Sequence, residues 1–208
     1  MKQILSILSI ILVLFGCAHN EKDNSIDLLM AAELQLNDHW LLNDGMLYPS
    51  ETPRGMMWSK RAFSDFELTV EYKTSKDCNS GVFFRTNPNN AVQGGFEIQV
   101  ASANMYSGKH VVGSLYDAKE PSSITVKPDG EWNTMVLTCE GPNIKVVLNG
   151  VKIQDINIDD WDTPKQNPDG TKNKFKTALK DLPRKGHFGL QYHGHPVWYR
   201  KLSLKVLD

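Results

Sequence analysis

With 208 residues, a formal net charge of -1 and 40% hydrophobic side chains, the chain can bury one sizeable core, which makes one globular domain the default. Its 23 basic and 24 acidic residues nearly cancel; this removes the electrostatic basis for nucleic acid or an anionic membrane surface as a partner. The expected ligand is uncharged or small.

The chain opens with MKQILSILSIILVLFGC, in which Lys2 precedes an apolar run from Ile4 to Phe15. That run is too short for a spanning helix and has the layout of a secretory signal. Its ending, Leu14-Phe15-Gly16-Cys17, resembles a bacterial lipobox, where the signal is cut before a cysteine that is then lipidated. Residues 1–16 are thus read as a lipoprotein signal peptide, Cys17 as the lipidation site, and 17–27, through the polar AHNEKDNS, as a tether. The expected protein is exported and lipid-anchored at a bacterial membrane, periplasmic or cell-surface, and touches the membrane through that anchor alone. Of the remaining cysteines, Cys78 and Cys139, both a disulfide and two separate buried thiols are open.

From residue 28 to 208 apolar residues recur mainly at period two, in short runs broken by Gly, Asn, Asp and Pro. In DFELTVEYK, Phe66, Leu68, Val70 and Tyr72 alternate with Glu67, Thr69, Glu71 and Lys73, giving one core face and one polar face. GVFFRT, GGFEIQV, WNTMVLTCEG and NIKVVLNGVKI follow the same rule, the last two joined by a Gly141-Pro142-Asn143 turn. HFGLQYHG and VWYRKLSLKVL read as a closing pair. The pattern predicts an all-β fold, a two-sheet antiparallel jelly-roll sandwich. The irregular segment from Asp162 to Gly186 reads as a solvated lysine-rich loop or as the wall of a binding cleft, with a helical turn or two in FKTALKDL.

Strict alternation also names the side chains opposite the core: Glu71, then Phe83 and Arg85, Glu97 and Gln99, Gln191 and His193. If these strands share a sheet, two carboxylates, a guanidinium, two amides and an imidazole meet on one face. A solvated outer face is dominated by Lys, Thr, Ser and Glu. Glu, Gln, Arg and His with almost no Lys is instead the inventory of a concave polar site that exchanges protons near neutrality. Gly81, Gly94 and Gly95 fit either close backbone approach or turns. Three of the six histidines fall in GHFGLQYHGHPVWYR; His187 stands at the strand entrance and His195 in a turn before Pro196, leaving His193 on the polar face. A lone His193-x-His195 lacks the third ligand of a zinc site. No Ser-His-Asp elbow, phosphate loop or dinucleotide fingerprint is present.

In order along the chain, LNDHWLLNDGML, FSDFELTVEYK, NSGVFFR, GGFEIQV, GSLY, KPDGEWN, LNG and GHFGLQYHGHPVWYR resemble the 3-keto-disaccharide hydrolase family of secreted bacterial proteins. The ordered set N-S-G-x-x-x-R, aromatic-E-x-Q and G-x-x-x-L-Q-x-H-G is specific and spans the mature domain. The resemblance implies a concanavalin-like sandwich and a saccharide substrate, a glycoside oxidised to a ketone at carbon 3. It carries the family's polar positions onto Asn79, Arg85, Glu97, Gln99 and His193, and its GSLY segment supplies Tyr116. Where the family often has an aspartate after E-x-Q, this chain has VASAN, and the frequent R-N pair near the end is Arg200-Lys201.

A ketone at carbon 3 acidifies the carbon 2 hydrogen and sets the carbon 1 oxygen for β-elimination, after which water completes a net hydrolysis. In that scheme His193 or Glu97 is the base and Arg85 anchors the enolate, while Glu71, Asn79, Gln99, Gln191 and Tyr116 bind the sugar. The sequence assigns no cofactor, and a divalent metal ion held by Glu97 and His193 is the alternative electrophile to Arg85. Two rivals stand beside it: a two-carboxylate glycosidase using Glu71 and Glu97, and a non-catalytic carbohydrate-binding module. The module would present Trp40, Trp58 or Trp161 to a sugar ring, with Trp132 and Trp198 structural.

Overall fold

The computed structural model describes residues 25–30 and 32–207, so the signal segment, Cys17 and most of the tether lie outside the described residues. Two antiparallel sheets stack face to face. The larger has the order β10 (Val151–Asn157), β9 (Asn143–Leu148), β8 (Asn133–Glu140), β5 (Phe66–Thr74), β12 (Val197–Val206), β3 (Met46–Pro49) and β2 (Trp40–Asn43), with β1 (Ile26–Asp27) also on β12. The smaller has the order β4 (Met56–Phe63), β11 (Gly186–Gln191), β6 (Asn79–Thr86) and β7 (Phe96–Ala101).

Alternation dictates the stacking. On β5, Phe66, Leu68, Val70 and Tyr72 are buried between the sheets. Facing them, Val82, Phe84, Phe96, Ile98, Val100, Phe188 and Leu190 are at most 2% exposed. Phe66 meets Phe84 edge-on at 6.5 Å, and Phe84 stacks on Phe96 at 5.5 Å. Each such burial contributes roughly 1.5–3 kcal/mol through apolar area removed from water. Cys78 and Cys139 are both buried and unbonded; burial pushes each thiol up to about 12, leaving two inert core residues.

Three expectations change. The closing pair does not form, because HFGLQYHG and VWYRKLSLKVL supply β11 and β12, which belong to different sheets. NIKVVLNGVKI is two strands, since Asn149 and Gly150 take φ of 51° and 83° and turn β9 back into β10. Ile26 and Asp27, assigned to the tether, pair with Leu204 and Ser203 of β12, so the sandwich begins before residue 28.

Strict alternation also fails at Arg85. Between His187 and Gly189 the register of β11 shifts against both neighbours, and Arg85 sits in that irregularity with φ of 47°. A one-residue slip turns a side chain to the opposite face. Arg85 is fully buried, donating from Nε to the Ser64 carbonyl, from Nη1 to the Gly141 carbonyl and from Nη2 to Asp65 Oδ1, each at 2.7 Å. Asp65 Oδ2 in turn accepts from the Gly141 N–H at 3.0 Å. The guanidinium therefore ties the β4–β5 turn to the β8–β9 turn, and the enolate-anchoring role expected of it falls away. Arg85→Ala strands two carbonyls and a half-buried carboxylate and is expected to cost on the order of 3 kcal/mol; urea unfolding showing a loss below about 1 kcal/mol would contradict this role.

Candidate active site

The outer face of the smaller sheet is made by the positions that alternate with the core. Crossing from β4 to β7 it presents Trp58, then Gly189 and Gln191, then Asn79, Gly81 and Phe83, then Glu97 and Gln99. Two glycines make room for two functional groups. A Cβ on Gly81 would lie 2.2 Å from Glu97 Oε1, and one on Gly189 would lie 2.3 Å from Trp58 Cζ3. Carboxylate and indole can therefore lie close against the backbone. Phe83 packs edge-on against Trp58, ring centroids 6.2 Å apart.

The edge of β7 is covered by the chain around Gly113 to Tyr116. Gly113 N–H donates to the Gln99 carbonyl at 2.9 Å, and Tyr116 N–H donates to the Glu97 carbonyl at 3.0 Å. This pairing brings Tyr116 beside Glu97. The long loop supplies the other neighbour, Lys174, whose Nζ lies 3.8 Å from Glu97 Oε2 and 4.2 Å from the Tyr116 ring centroid. Asp117 fixes the loop here: Oδ2 accepts from the Lys174 backbone N–H, and Oδ1 lies 3.1 Å from His110 Nε2. The loop thus reaches the outer face of the smaller sheet at Lys174.

Burial governs the electrostatics. Glu97 is 7% exposed, and burial pushes its carboxyl from an ordinary 4.5 to about 7 against the opposing pull of Lys174. Burial also draws the Lys174 ammonium down, with Glu97 and Asp117 working the other way. The Tyr116 phenol is raised by burial and then by Glu97 and Asp117. A carboxyl raised and an amine lowered, side by side, form a pair suited to exchanging protons near neutrality.

A second row runs from Gln99. Its Nε2 donates to Asn79 Oδ1 at 3.0 Å, and Asn79 Nδ2 lies 3.1 Å from His193 Nδ1. An amide nitrogen only donates, so His193 Nδ1 accepts and the neutral ring carries its proton on Nε2. Gln99 is 1% exposed, and its Oε1 has no partner among the described residues. A buried acceptor left open beside the carboxylate is suited to a ligand hydroxyl.

Six sequence-predicted residues, Asn79, Glu97, Gln99, Tyr116, Gln191 and His193, are brought to this side of the smaller sheet; Arg85 and Glu71 are not. Glu71 lies on the outer face of the larger sheet, where Oε2 accepts from Arg200 Nε at 2.7 Å and the guanidinium stacks over Trp132 at 4.3 Å. His187 points its Nδ1 at the Ser59 carbonyl, 2.9 Å away, and His195 is exposed. Of the three loop tryptophans, Trp40 and Trp161 are buried in the core, and only Trp58 belongs to the face. Lys174, Asp117 and His110 escaped the sequence reading because irregular segments carry no periodicity. The length of the loop was the one signal pointing toward Lys174.

Among the described residues, no three His, Cys, Asp or Glu side chains converge as they would around a metal ion. Glu97 and His193 alone make an incomplete ligand set for the divalent ion considered from sequence. Cavities of about 530 and 550 Å³ open elsewhere, one against Trp161 and Asp160, the other around Gln35 and His187. The carboxylates of the first, Glu120, Asp155, Asp160 and Asp169, are exposed. Chemistry rather than volume thus singles out the face around Glu97.

The family model of the 3-keto-alpha-glucoside-1,2-lyase-like domain matches residues 27–205. The chain belongs to this family. A 3-keto-disaccharide hydrolase from Bacteroides thetaiotaomicron is 25% identical, with 70% of this chain and 60% of that protein covered. The chain thus spans 60% of the length of the curated relative it matches. A crystal structure from Parabacteroides distasonis, of a protein provisionally named a glycosyl hydrolase, is 28% identical with a TM-score of 0.83, covering 88% of this chain and 99% of that one. A Bacillus licheniformis β-glucanase shares the fold alone, with a TM-score of 0.53 at 12% identity over 86% of this chain and 94% of its own. The two-sheet jelly-roll sandwich expected from the strand pattern, and its concanavalin-like form implied by the family resemblance, are both what the chain adopts.

Proposed function

We propose that the protein cleaves glycosides bearing a ketone at carbon 3, with Glu97 as the base that removes the carbon 2 proton. The observation that carries this reading is the buried Glu97 carboxyl, raised to about 7, in contact with Lys174. A base with that affinity is half deprotonated at neutral pH yet strong enough to take a proton acidified by a ketone. Positive charge for the developing enolate comes from Lys174, since Arg85 is buried between the two turns it joins. His193 takes another part: Asn79 engages its Nδ1, which leaves Nε2 for a ligand. Its Nε2–H suits a hydrogen bond to the departing carbon 1 oxygen, which draws its proton from solvent, while Gln99, Gln191 and Tyr116 meet the sugar hydroxyls and Trp58 stacks on a ring.

The electrons balance in two stages. The carbon 2–hydrogen pair forms the carbon 1–carbon 2 double bond as the glycosidic bond breaks, and the aglycone oxygen takes a proton. Water then adds at carbon 1 and gives up a proton to solvent, while Glu97, its own proton exchanged with solvent, protonates carbon 2, which makes the sum a hydrolysis. The family description and the name of the Bacteroides relative support the substrate class. A two-carboxylate glycosidase is disfavoured, since Glu71 and Glu97 lie on the outer faces of opposite sheets whose backbones alone are roughly 10 Å apart.

Aglycone release measured by NMR on a 3-keto-glucoside and on its unoxidised parent, with calorimetric binding of the parent, tests this reading. Release from the ketoglycoside alone is expected. Cleavage of the parent would make the protein an ordinary glycosidase. Binding of the parent without turnover of either compound would make it a binding module.

A further inference from the structure

We propose that Lys174 acts covalently, its amine condensing with the carbon 3 ketone, so that the substrate class is sugars whose carbonyl can become an iminium. This deepens the function proposed above and rests on it. The separation of the two groups is the first ground. Adjacent sugar carbons lie about 1.5 Å apart, so an amine bonded to carbon 3 and a carboxylate oxygen within reach of the carbon 2 hydrogen stand about 4 Å from each other. Nζ and Oε2 are 3.8 Å apart.

The second ground is the surround. The Lys174 side chain is 22% exposed, with the rings of Tyr116 and Phe175 at 4.2 and 5.4 Å from Nζ. The other lysines of the loop, Lys165, Lys172, Lys176, Lys180 and Lys185, are all exposed. A lysine serving only as a charge works best fully protonated, whereas one withdrawn from water gives up its proton more readily and becomes a nucleophile. Glu97 is beside it to accept that proton, and Asp117 anchors the backbone from which it reaches.

The chemistry closes without any outside oxidant or reductant. The amine lone pair adds to carbon 3, the former carbonyl oxygen takes from Glu97 the proton the ammonium gave up and leaves as water, and a carbon–nitrogen iminium remains beside a Glu97 carboxylate free to act again. The iminium withdraws electrons from carbon 2 more strongly than a ketone does, and Glu97 takes the carbon 2 proton to give an enamine. The enamine electrons re-form the iminium as the carbon 1–carbon 2 double bond appears and the glycosidic oxygen departs with a proton. Water adds at carbon 1, carbon 2 takes a solvent-exchanged proton from Glu97, and a second water hydrolyses the iminium to free the 3-ketosugar and the amine. One water is released and two are consumed, the net uptake of one that hydrolysis requires.

Sodium cyanoborohydride at neutral pH reduces an iminium much faster than a ketone. The wild-type protein, given a 3-keto-glucoside and this reagent, should gain the mass of the ketoglycoside or of its sugar part less one oxygen atom. Peptide mapping should place the adduct on Lys174. Lys174→Arg keeps the charge but cannot form the iminium; it should take up no adduct and release aglycone about 10³-fold more slowly. Aglycone release by the wild type with no adduct on Lys174, or Lys174→Arg retaining more than about a tenth of the rate, would overturn the covalent role and leave the ketoglycoside reading standing. No release by the wild type at all would instead overturn that reading and this proposal with it.

Discussion

Glu97→Gln is expected to lower kcat about 10³-fold while raising the stability of the fold at pH 8. In the folded protein the carboxyl keeps its proton up to about 7, whereas its ordinary value is 4.5. Between those values the folded state holds more protons than the unfolded chain, so stability falls as pH rises through the window and the loss is complete above about pH 7. The difference is worth on the order of 3 kcal/mol. An amide carries no charge to desolvate, so the variant recovers part of that at pH 8 and gains little at pH 4. Lys174, deprived of its counter-charge, takes some of the gain back. The wild-type kcat/KM should rise with pH and level off above about 7, and the variant should lack that limb. Loss of activity accompanied by a lower melting temperature at pH 8 would show that Glu97 holds the fold rather than the substrate.

Gly81→Ala is the second large effect, and it arises from a residue with no reactive group. The new Cβ would fall 2.2 Å from Glu97 Oε1 and 2.9 Å from its Cδ and Cγ. These atoms end a flexible side chain, so the carboxylate swings aside while the sheet stays intact, at a stability cost of about 1 kcal/mol. The displacement is fatal to geometry rather than to folding. A shift of about 1 Å in a catalytic group costs on the order of 10²-fold, so kcat should fall by that factor with KM changed only slightly. Steady-state kinetics showing kcat within about threefold of wild type would mean that the position of the carboxylate is not what limits the reaction.

Much of this arrangement can be read from strand alternation. The parity of Glu97, Gln99 and Gln191 foretells their common face, because side chains on a pleated strand have no other choice; Asn79 comes from the family resemblance, and His193, beyond the end of β11, joins them through its hydrogen bond with Asn79. Parity says nothing of sheet membership, and Glu71 obeys it perfectly while standing on the opposite sheet. Arg85 departs for another reason: a left-handed backbone at an ordinary residue within a strand leaves no mark in composition. Gly81 belongs to the legible part, since a glycine inside a strand pattern signals close approach as well as a turn. Lys174 belongs to the illegible part. It lies among six lysines between residues 162 and 186, and only the three-dimensional path of the loop, fastened by Asp117, distinguishes it from the other five.

The most direct test follows the carbon 2 hydrogen of a 3-keto-glucoside by NMR in deuterium oxide, with the protein-free substrate as reference. The expected result is that the wild type releases a sugar carrying deuterium at carbon 2 and that Glu97→Gln leaves both the hydrogen and the glycosidic bond in place. Aglycone released by the wild type with the original carbon 2 hydrogen retained would contradict proton abstraction, and with it the role assigned to Glu97.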